Sequence, residues 1–267
     1  MSDAIVQFTS SARESENAKP RSLSASLALV IAFWWGATGL TLAMQRSEAA
    51  STISLTVTTL LAALGTVLIV NARDDASVRG ARFAFLGSAF VWWWCSTMFY
   101  SGFGISSAAE SAGPSGSFAL ALQAIAATLR PDLLGVFALL AVGALVWRRA
   151  NRVALWTLVV FFGTLQTAKL NVFFGVRNAS VEWLPQQLSH LSRFFGPPRN
   201  SSLLTISVIG LAALCWVFAN RARRVQSPFV RHANGMIALL LGLAVIEHIF
   251  LGVTTTLPLW DIFMPRG

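Results

Sequence analysis

Charged residues are scarce in this sequence: they make up 12% of its 267 residues, while hydrophobic residues make up 55%. A soluble domain carries about 25% charged residues, so the composition excludes a soluble globule. Only two cysteines are present, Cys95 and Cys215, and both lie inside apolar runs, which excludes a secreted disulfide framework. The sequence has three histidines and lacks the H-E-x-x-H, C-x-x-C, nucleophile-elbow and phosphate-loop motifs. Metal binding and catalysis are therefore not the leading interpretation.

The sequence instead contains several long apolar runs, and each is about as long as a membrane span. We predict an all-α, polytopic integral membrane protein with seven transmembrane helices, at 23–44, 53–70, 83–103, 127–147, 153–168, 203–219 and 236–253. The apolar stretch 118–129 is an interfacial lead-in to the fourth span. Pro131 predicts a bend there, because proline lacks an N–H and its ring clashes with the preceding turn.

Three regions follow from this pattern. Residues 1–22 are polar and are predicted to form a flexible cytoplasmic tail. Residues 23–253 form the membrane domain, with an external segment at 169–202, and residues 254–267 form an external tail. The first apolar run is longer than a signal-peptide core and has no small-x-small cleavage site before Gln45-Arg46, so it is expected to be an uncleaved first membrane helix.

The formal net charge of +9 comes from basic residues clustered between the apolar runs. Thirteen fall on one predicted side: Arg13, Lys19, Arg21, Arg73, Arg79, Arg82, Arg148, Arg149, Arg152, Arg221, Arg223, Arg224 and Arg231. Six fall on the other: Arg46, Lys169, Arg177, Arg193, Arg199 and Arg266. By the positive-inside rule the N-terminus is cytoplasmic and the C-terminus external. A nucleic-acid partner is not expected, because it would need a basic stripe on one folded face.

The longest hydrophilic connection, 169–202, contains apolar residues at helical spacing between polar ones. It predicts an amphipathic interfacial helix over 181–195, lying along the membrane surface. Two interpretations fit this segment: a simple connector, or a docking surface for a partner or pigment. The candidate docking residues are Arg177, Asn178, Glu182, Trp183, Leu184, Pro185, Leu188, Leu191 and Phe194.

Ionisable residues inside the spans are the other candidates for function. A charge at the bilayer centre costs about 2.5–3.5 kcal/mol, so such groups usually face a partner or a cavity. We predict that Lys169 and Glu247 approach each other in the outer half of the bilayer, with His248 beside them. The candidate polar cluster is Lys169, Asn171, Glu247 and His248, and it fits either a structural ion pair or a ligand-binding or proton-handling site. His248, as the imidazole inside a span, is the candidate pigment contact.

A family resemblance is carried by 168–176 (AKLNVFFGV), Asn178, Glu182, Leu184-Pro185 and Phe194-Phe195. Further pieces are 33–35 (FWW) with 38–40 (TGL), and 247–251 (EHIFL) with 257–260 (LPLW). These motifs resemble those of PuhE-like photosynthetic-complex assembly proteins, over nearly the whole chain. Two His-Glu pairs of that family are missing, because Cys95-Ser96 and Pro131-Asp132 stand in their places. The chain thus resembles a divergent member.

The resemblance implies a bacterial inner-membrane protein that assembles the photosynthetic reaction centre and light-harvesting complexes, or tunes bacteriochlorophyll supply to them. It implies action by binding rather than catalysis, with reaction-centre and light-harvesting polypeptides and membrane lipid as partners. No bound cofactor is required, and bacteriochlorophyll is the one that the resemblance suggests. The alternative is a membrane enzyme or small-molecule carrier that uses Lys169, Glu247 and His248.

Overall fold

A computed structural model of the chain consists of α-helices joined by short loops. It describes residues 2–45, 47–105, 117–179 and 184–254, and for residues 2–22 and Glu48 it describes the backbone alone. The helices are α1 (Ser2–Met44), α2 (Glu48–Ala72), α3 (Val78–Tyr100), α4 (Phe118–Ala127), α5 (Leu129–Val146), α6 (Val153–Phe174), α7 (Ser202–Arg224) and α8 (Pro228–Gly252). A 3₁₀ helix (Gln186–Phe194) lies between α6 and α7. These described ranges contain no strand, and the predicted all-α class is confirmed.

Six helical segments are long and apolar enough to cross a membrane: Leu23–Met44, Ala49–Ala72, Leu129–Val146, Val153–Phe174, Ser202–Arg224 and Pro228–Gly252. The chain is therefore a multi-pass membrane protein. The predicted span 83–103 corresponds to α3, which has 23 residues and is long enough to cross. Its three tryptophans and its serines make α3 less apolar than the other six. A seventh crossing by α3 stays a prediction.

Two predicted boundaries differ from the structure. Helix α6 continues to Phe174, so Lys169 lies inside a helix rather than at the start of the external segment. Helix α1 begins at Ser2 and includes the residues predicted to be a flexible tail. A helix that is already nucleated by its apolar part extends through neighbouring Ala, Arg and Glu residues without a second nucleation cost. The predicted C-terminal tail lies outside the described residues from 255 onward.

Helix α3 is the central element and packs against α1, α2, α5, α6 and α8. It meets α2 backbone to backbone at Gly65 and Gly87. A Cβ atom on Gly65 would overlap the Gly87 carbonyl oxygen, and one on Gly87 would lie 2.5 Å from the Gly65 carbonyl oxygen. Because small residues allow membrane helices to approach this closely, only glycine fits at the crossing.

The predicted bend before the fourth span is present, but it lies at Thr128 rather than at Pro131. Thr128 separates α4 from α5 with a backbone φ of −102° and ψ of 10°. A proline ring clashes with the carbonyl four residues earlier, which here belongs to Ala127, the last residue of α4. Pro131 itself lies in the first turn of α5, where a missing N–H costs little.

The loops form two groups, one at each end of the helix bundle. At one end, the Asn151 amide donates to the Arg73 carbonyl (2.9 Å), and Arg149 lies 3.4 Å from Asp74. We call this the arginine end, and it includes the loops 73–77, 147–152 and 225–227. The opposite end, the cap end, includes 101–105 and 175–201. The basic loops of the arginine end are those that the positive-inside rule predicts to be cytoplasmic, and this orientation stays a prediction.

Candidate functional site

Polar side chains collect inside the bundle near the cap end. We define this polar layer as Trp34, Tyr100, Asp132, Gln166, Thr167, Lys169, Asn171, Glu247 and His248. Lys169 and Glu247 each lie five residues before their helix ends, about 7.5 Å at 1.5 Å per residue. Both residues therefore lie in the half of the bundle at the cap end, and that this is the outer half of the bilayer stays a prediction. The two side chains bond to different partners.

Lys169 pairs with Asp132, so the predicted Lys169–Glu247 pair is wrong. The Lys169 Nζ atom lies 2.6 Å from Oδ2 and 2.7 Å from Oδ1 of Asp132, and only 10% and 16% of the two side chains are exposed. Gln166 donates to Oδ1 (2.8 Å) and Thr128 to Oδ2 (3.0 Å). The ammonium group also lies 5.5 Å from the centre of the Phe99 ring. Each partner of this ion pair is thus satisfied by several groups.

The position of Asp132 explains this pairing. It lies in the first turn of α5, where the helix dipole stabilises a carboxylate. The break at Thr128 sets this first turn at the cap end, at the depth of Lys169. In the sequence Asp132 follows Pro131, which predicts a bend. Asp132 was therefore not predicted to be the partner of Lys169.

Glu247 accepts a hydrogen bond from the Trp34 indole Nε1–H at 2.7 Å, which joins α8 to α1. The side chain is half-buried, and the Tyr100 hydroxyl of α3 lies within electrostatic range of its carboxyl group. Among the described side chains no Lys, Arg or His lies within 4 Å of this carboxylate. Glu247 therefore lies beside the Trp34 ring, and the described side chains supply no counter-charge to it.

His248 is enclosed by the bundle and has no exposed surface. Its Nδ1 atom lies 2.8 Å from the Ala244 carbonyl, which can only accept, so Nδ1 carries a proton. Its Nε2 atom lies 3.1 Å from the Thr167 hydroxyl. With both nitrogens engaged, His248 does not offer a ligand to a pigment magnesium, and this argues against it as the pigment contact. Within the described ranges, no three His, Cys, Asp or Glu residues are placed to hold a metal ion.

Asn171, another predicted member of the cluster, connects two helices. Its amide donates to the Thr167 carbonyl within α6 (2.8 Å) and to the Ser207 hydroxyl of α7 (2.9 Å). The four predicted cluster residues therefore lie in one layer but make separate contacts. Lys169 binds α5, Glu247 binds α1, Asn171 binds α7, and His248 joins α8 to α6.

The loop between α6 and α7 caps the end of α8. The Asn178 amide nitrogen of the backbone donates to the Leu251 carbonyl (3.0 Å) and its side chain donates to the Phe250 carbonyl (3.2 Å). Asn200 donates to the Gly252 carbonyl (2.9 Å) and accepts from the Arg177 amide (3.0 Å). The last carbonyls of a helix have no partner within it, so these bonds satisfy groups that a membrane would leave unpaired.

The predicted amphipathic segment folds differently from expectation. Its described part forms a 3₁₀ helix rather than an α-helix, and Leu188, Leu191 and Phe194 are buried against α4 and Phe173. A 3₁₀ helix has three residues per turn, so a three-residue spacing puts these side chains on one face. They pack inside the chain and do not face a partner as a docking surface would. Leu184 and Pro185 precede this helix half-buried, while Glu182 and Trp183 lie outside the described residues.

We expect Leu188→Ala to destabilise the protein by about 2–5 kcal/mol, because it removes a fully buried leucine from the cap. Thermal or denaturant unfolding of the purified protein in mild detergent measures this. Gln186→Ala, in the same 3₁₀ helix but exposed, should unfold like the parent. Equal stability of Leu188→Ala and the parent would contradict the buried position.

Comparison with known proteins assigns the chain to a family. The model of the family described as "Protein of unknown function (DUF3623)" matches residues 21–266. This chain belongs to the DUF3623 family. A relative from Rhodobacter capsulatus, described as a 30.4 kDa protein in the puhA 5' region, is 31% identical over 236 residues. The match covers 85% of this chain and 84% of the relative. No solved structure matches the chain.

The sequence analysis did not predict several residues that form the site in this DUF3623 protein. Asp132, Trp34 and Gln187 each bond to another helix or loop, since Gln187 donates to the Tyr100 carbonyl (2.8 Å). Trp34 carried a signal, because it lies in one of the quoted motifs, but its partner on α8 is 213 positions away. Gly175 also lies in the central motif, and its φ of 115° is a conformation that favours glycine. The structure thus gives several quoted motif residues a packing role.

Proposed function

We propose that the chain is an assembly factor for the bacterial photosynthetic reaction centre and light-harvesting complexes, acting by binding within the inner membrane. The observation that carries the proposal is the relative in the puhA 5' region, which supports a photosynthesis-related role. The resemblance of residues 168–176 to photosynthetic-complex assembly proteins supports it from the sequence.

The architecture supports action by binding. The described chain consists mostly of helices and short loops, and α2, α5 and α7 expose large apolar side chains to the membrane, such as Leu60 (68%), Phe137 (69%) and Ile206 (65%). A membrane-spanning partner would meet the chain on such faces. We propose no resident cofactor and no reaction. Any role in bacteriochlorophyll supply would use a contact other than His248, because both of its nitrogens are engaged.

Deleting the chain from its host tests the proposal. We expect the near-infrared absorbance of assembled reaction-centre and light-harvesting complexes to fall several-fold per cell, and re-expression of the parent to restore it. A tagged parent purified in mild detergent should bring down reaction-centre or light-harvesting polypeptides. Normal absorbance in the deletion strain, together with a tagged chain that purifies alone, would refute an assembly role.

A second function, as a small-molecule carrier or membrane enzyme, is favoured by one observation. Glu247 is a half-buried carboxyl group that has no cation within 4 Å among the described side chains, while Lys169 is already paired. Intramembrane carboxyl groups of this kind mark transport or proton pathways in many proteins. In this version of the alternative Glu247 acts with Trp34 and Tyr100, and not with Lys169 and His248.

Glu247→Gln separates the two functions, because the amide oxygen still accepts the Trp34 hydrogen bond while the negative charge is lost. An assembly factor that acts by binding should support complex assembly with this variant as it does with the parent. A carrier or enzyme that uses the charge should lose activity at equal membrane abundance, measured by immunoblot. Trp34→Phe removes the same hydrogen bond and keeps the charge, and is the matched control.

A further inference from the structure

Two matching stripes of side chains run along α6 and α7 from the arginine end towards the middle of the membrane. On α6 the stripe is Arg152, Trp156, Val159 and Gly163, and on α7 it is Arg221, Phe218, Leu214 and Gly210. Spacings of three and four residues put each set on one helix face. Both stripes have the same order: arginine, aromatic ring, aliphatic side chain, glycine.

The two helices contact each other at two levels, one within the stripes and one beyond the glycines. The Trp156 and Phe218 rings meet with their centroids 6.1 Å apart near the arginine end. Asn171 and Ser207 form a 2.9 Å hydrogen bond near the cap end. The helices are therefore antiparallel neighbours.

Both helices have open space beside them at the depth between these two contacts. Gly163 and Gly210 lie about 11–12 Å along their helices from the ring contact, at matching depth. A Cβ atom at either glycine would have no other atom within 4 Å. Trp156 is 48% exposed, Val159 37% and Leu214 51%. We call this lipid-facing region the α6–α7 groove.

Charge is concentrated where the groove meets the arginine end. Arg152 precedes the first residue of α6, and Arg221 lies in the last turn of α7. Among the described side chains no carboxylate lies within 4 Å of either guanidinium group. Arg152 lies over the ring of Trp147, 5.9 Å from its centre, and that ring is 63% exposed. Arginine and tryptophan side chains thus lie at the end of the groove, a composition typical of the membrane–water interface.

We infer that the α6–α7 groove binds an anionic phospholipid of the leaflet at the arginine end. Arg152 and Arg221 bind its phosphate, because guanidinium groups match phosphate geometry. One acyl chain lies along Trp156, Val159 and Leu214 and fills the space beside the glycines. Basic sites between membrane helices select anionic headgroups in this way. A partner helix would cover the apolar stripe but would leave the two arginines without a counter-charge, which favours a lipid. The inference does not depend on the proposed photosynthetic role.

Lipid retention by the purified, intact chain tests the inference. Native mass spectrometry should show phosphatidylglycerol bound to the parent after delipidation and back-addition, and much less phosphatidylcholine. Arg152→Gln and Arg221→Gln should each lower phosphatidylglycerol retention about fivefold. Inorganic phosphate should not compete, because it lacks the acyl chain. Arg223→Gln is the matched control, since Arg223 is exposed in the same last turn of α7 and faces away from the stripe.

A second pair of variants tests the apolar part of the groove. Gly163→Leu with Gly210→Leu should fill it and release the lipid while both arginines remain. Gly36→Leu, at a glycine on α1 with equally open space, should retain the lipid. Both arginine variants are exposed changes and report on the site even if the filled groove impairs folding.

Three results would overturn the inference. An equal loss of lipid in Arg223→Gln would show diffuse attraction to the whole basic end rather than a site. Parent-like retention in the Arg152 and Arg221 variants would show that these residues do not bind the headgroup. Release of a pigment or a polypeptide from the filled-groove variant, with phosphatidylglycerol retained, would show a different occupant.

Discussion

Replacing Lys169 by methionine should destabilise the protein by about 3–5 kcal/mol, because it leaves the Asp132 carboxylate buried without its cation. Gln166 and Thr128 would still donate to the carboxylate, but hydrogen bonds alone do not replace the ammonium charge in a low-dielectric interior. Unfolding of the purified variant in mild detergent, followed by circular dichroism against denaturant or temperature, measures the loss.

The double variant Lys169→Met, Asp132→Leu should regain much of this stability, because the cost of burying either charge is removed with it. Combining Lys169→Met with Glu247→Leu should give no such recovery, since Glu247 bonds to Trp34 instead. Arg130→Met changes an exposed basic residue two positions before Asp132 and should unfold like the parent. Recovery with the Glu247 variant but not with the Asp132 variant would show that the pairing is wrong.

Gly87→Ala should disrupt the crossing of α2 and α3, although it adds a single methyl group. That carbon would lie 2.5 Å from the Gly65 carbonyl oxygen and 2.9 Å from Ile69. A backbone oxygen has no rotamer with which to move away, so the two helices must separate. We expect a loss of about 3 kcal/mol or more, at the upper end of the usual overpacking cost. The thermal midpoint in detergent and the monodispersity of the purified chain both report it.

Gly36→Ala is the matched control for this substitution. It makes the same change inside a membrane helix, but nothing lies within 4 Å of the added carbon. Its stability should stay within about 0.5 kcal/mol of the parent. If Gly87→Ala and Gly36→Ala unfold alike, the close approach of α2 and α3 does not contribute to stability.

Helix positions could be predicted from the sequence, whereas most contacts between helices could not. Each predicted span corresponds to a helix, since an apolar run of membrane length has few other stable conformations in lipid. The Lys169–Asp132 pair and the Gly65–Gly87 crossing depend on which helices are neighbours, and periodicity within one helix does not contain that information. The depth of a residue along its helix does not show whether Lys169 pairs with Glu247 or with Asp132.

The 3₁₀ helix Gln186–Phe194 shows a second limit of prediction from the sequence. The spacing of Leu188, Leu191 and Phe194 is present in the sequence, but it fits one face of an α-helix and one face of a 3₁₀ helix. Apolar residues on a polar segment are also equally consistent with facing the membrane and with burial inside the protein. In the structure these residues form a 3₁₀ helix and are buried against α4. This packing depends on the break at Thr128, which places α4 beside the 3₁₀ helix.

The contact between α1 and α8 has a consequence for how the protein is made. Trp34 bonds to Glu247, and the Leu23 side chain lies beside Gly235, so α1 packs against α8, which is translated about 200 residues later. The bundle cannot close until translation has passed residue 252. Until then the surfaces that α8 covers on α1, α3 and α6 stay open to the insertion machinery and to membrane proteases. Chains that stop short of α8 therefore lack a closed core, and we expect membrane proteases to degrade them.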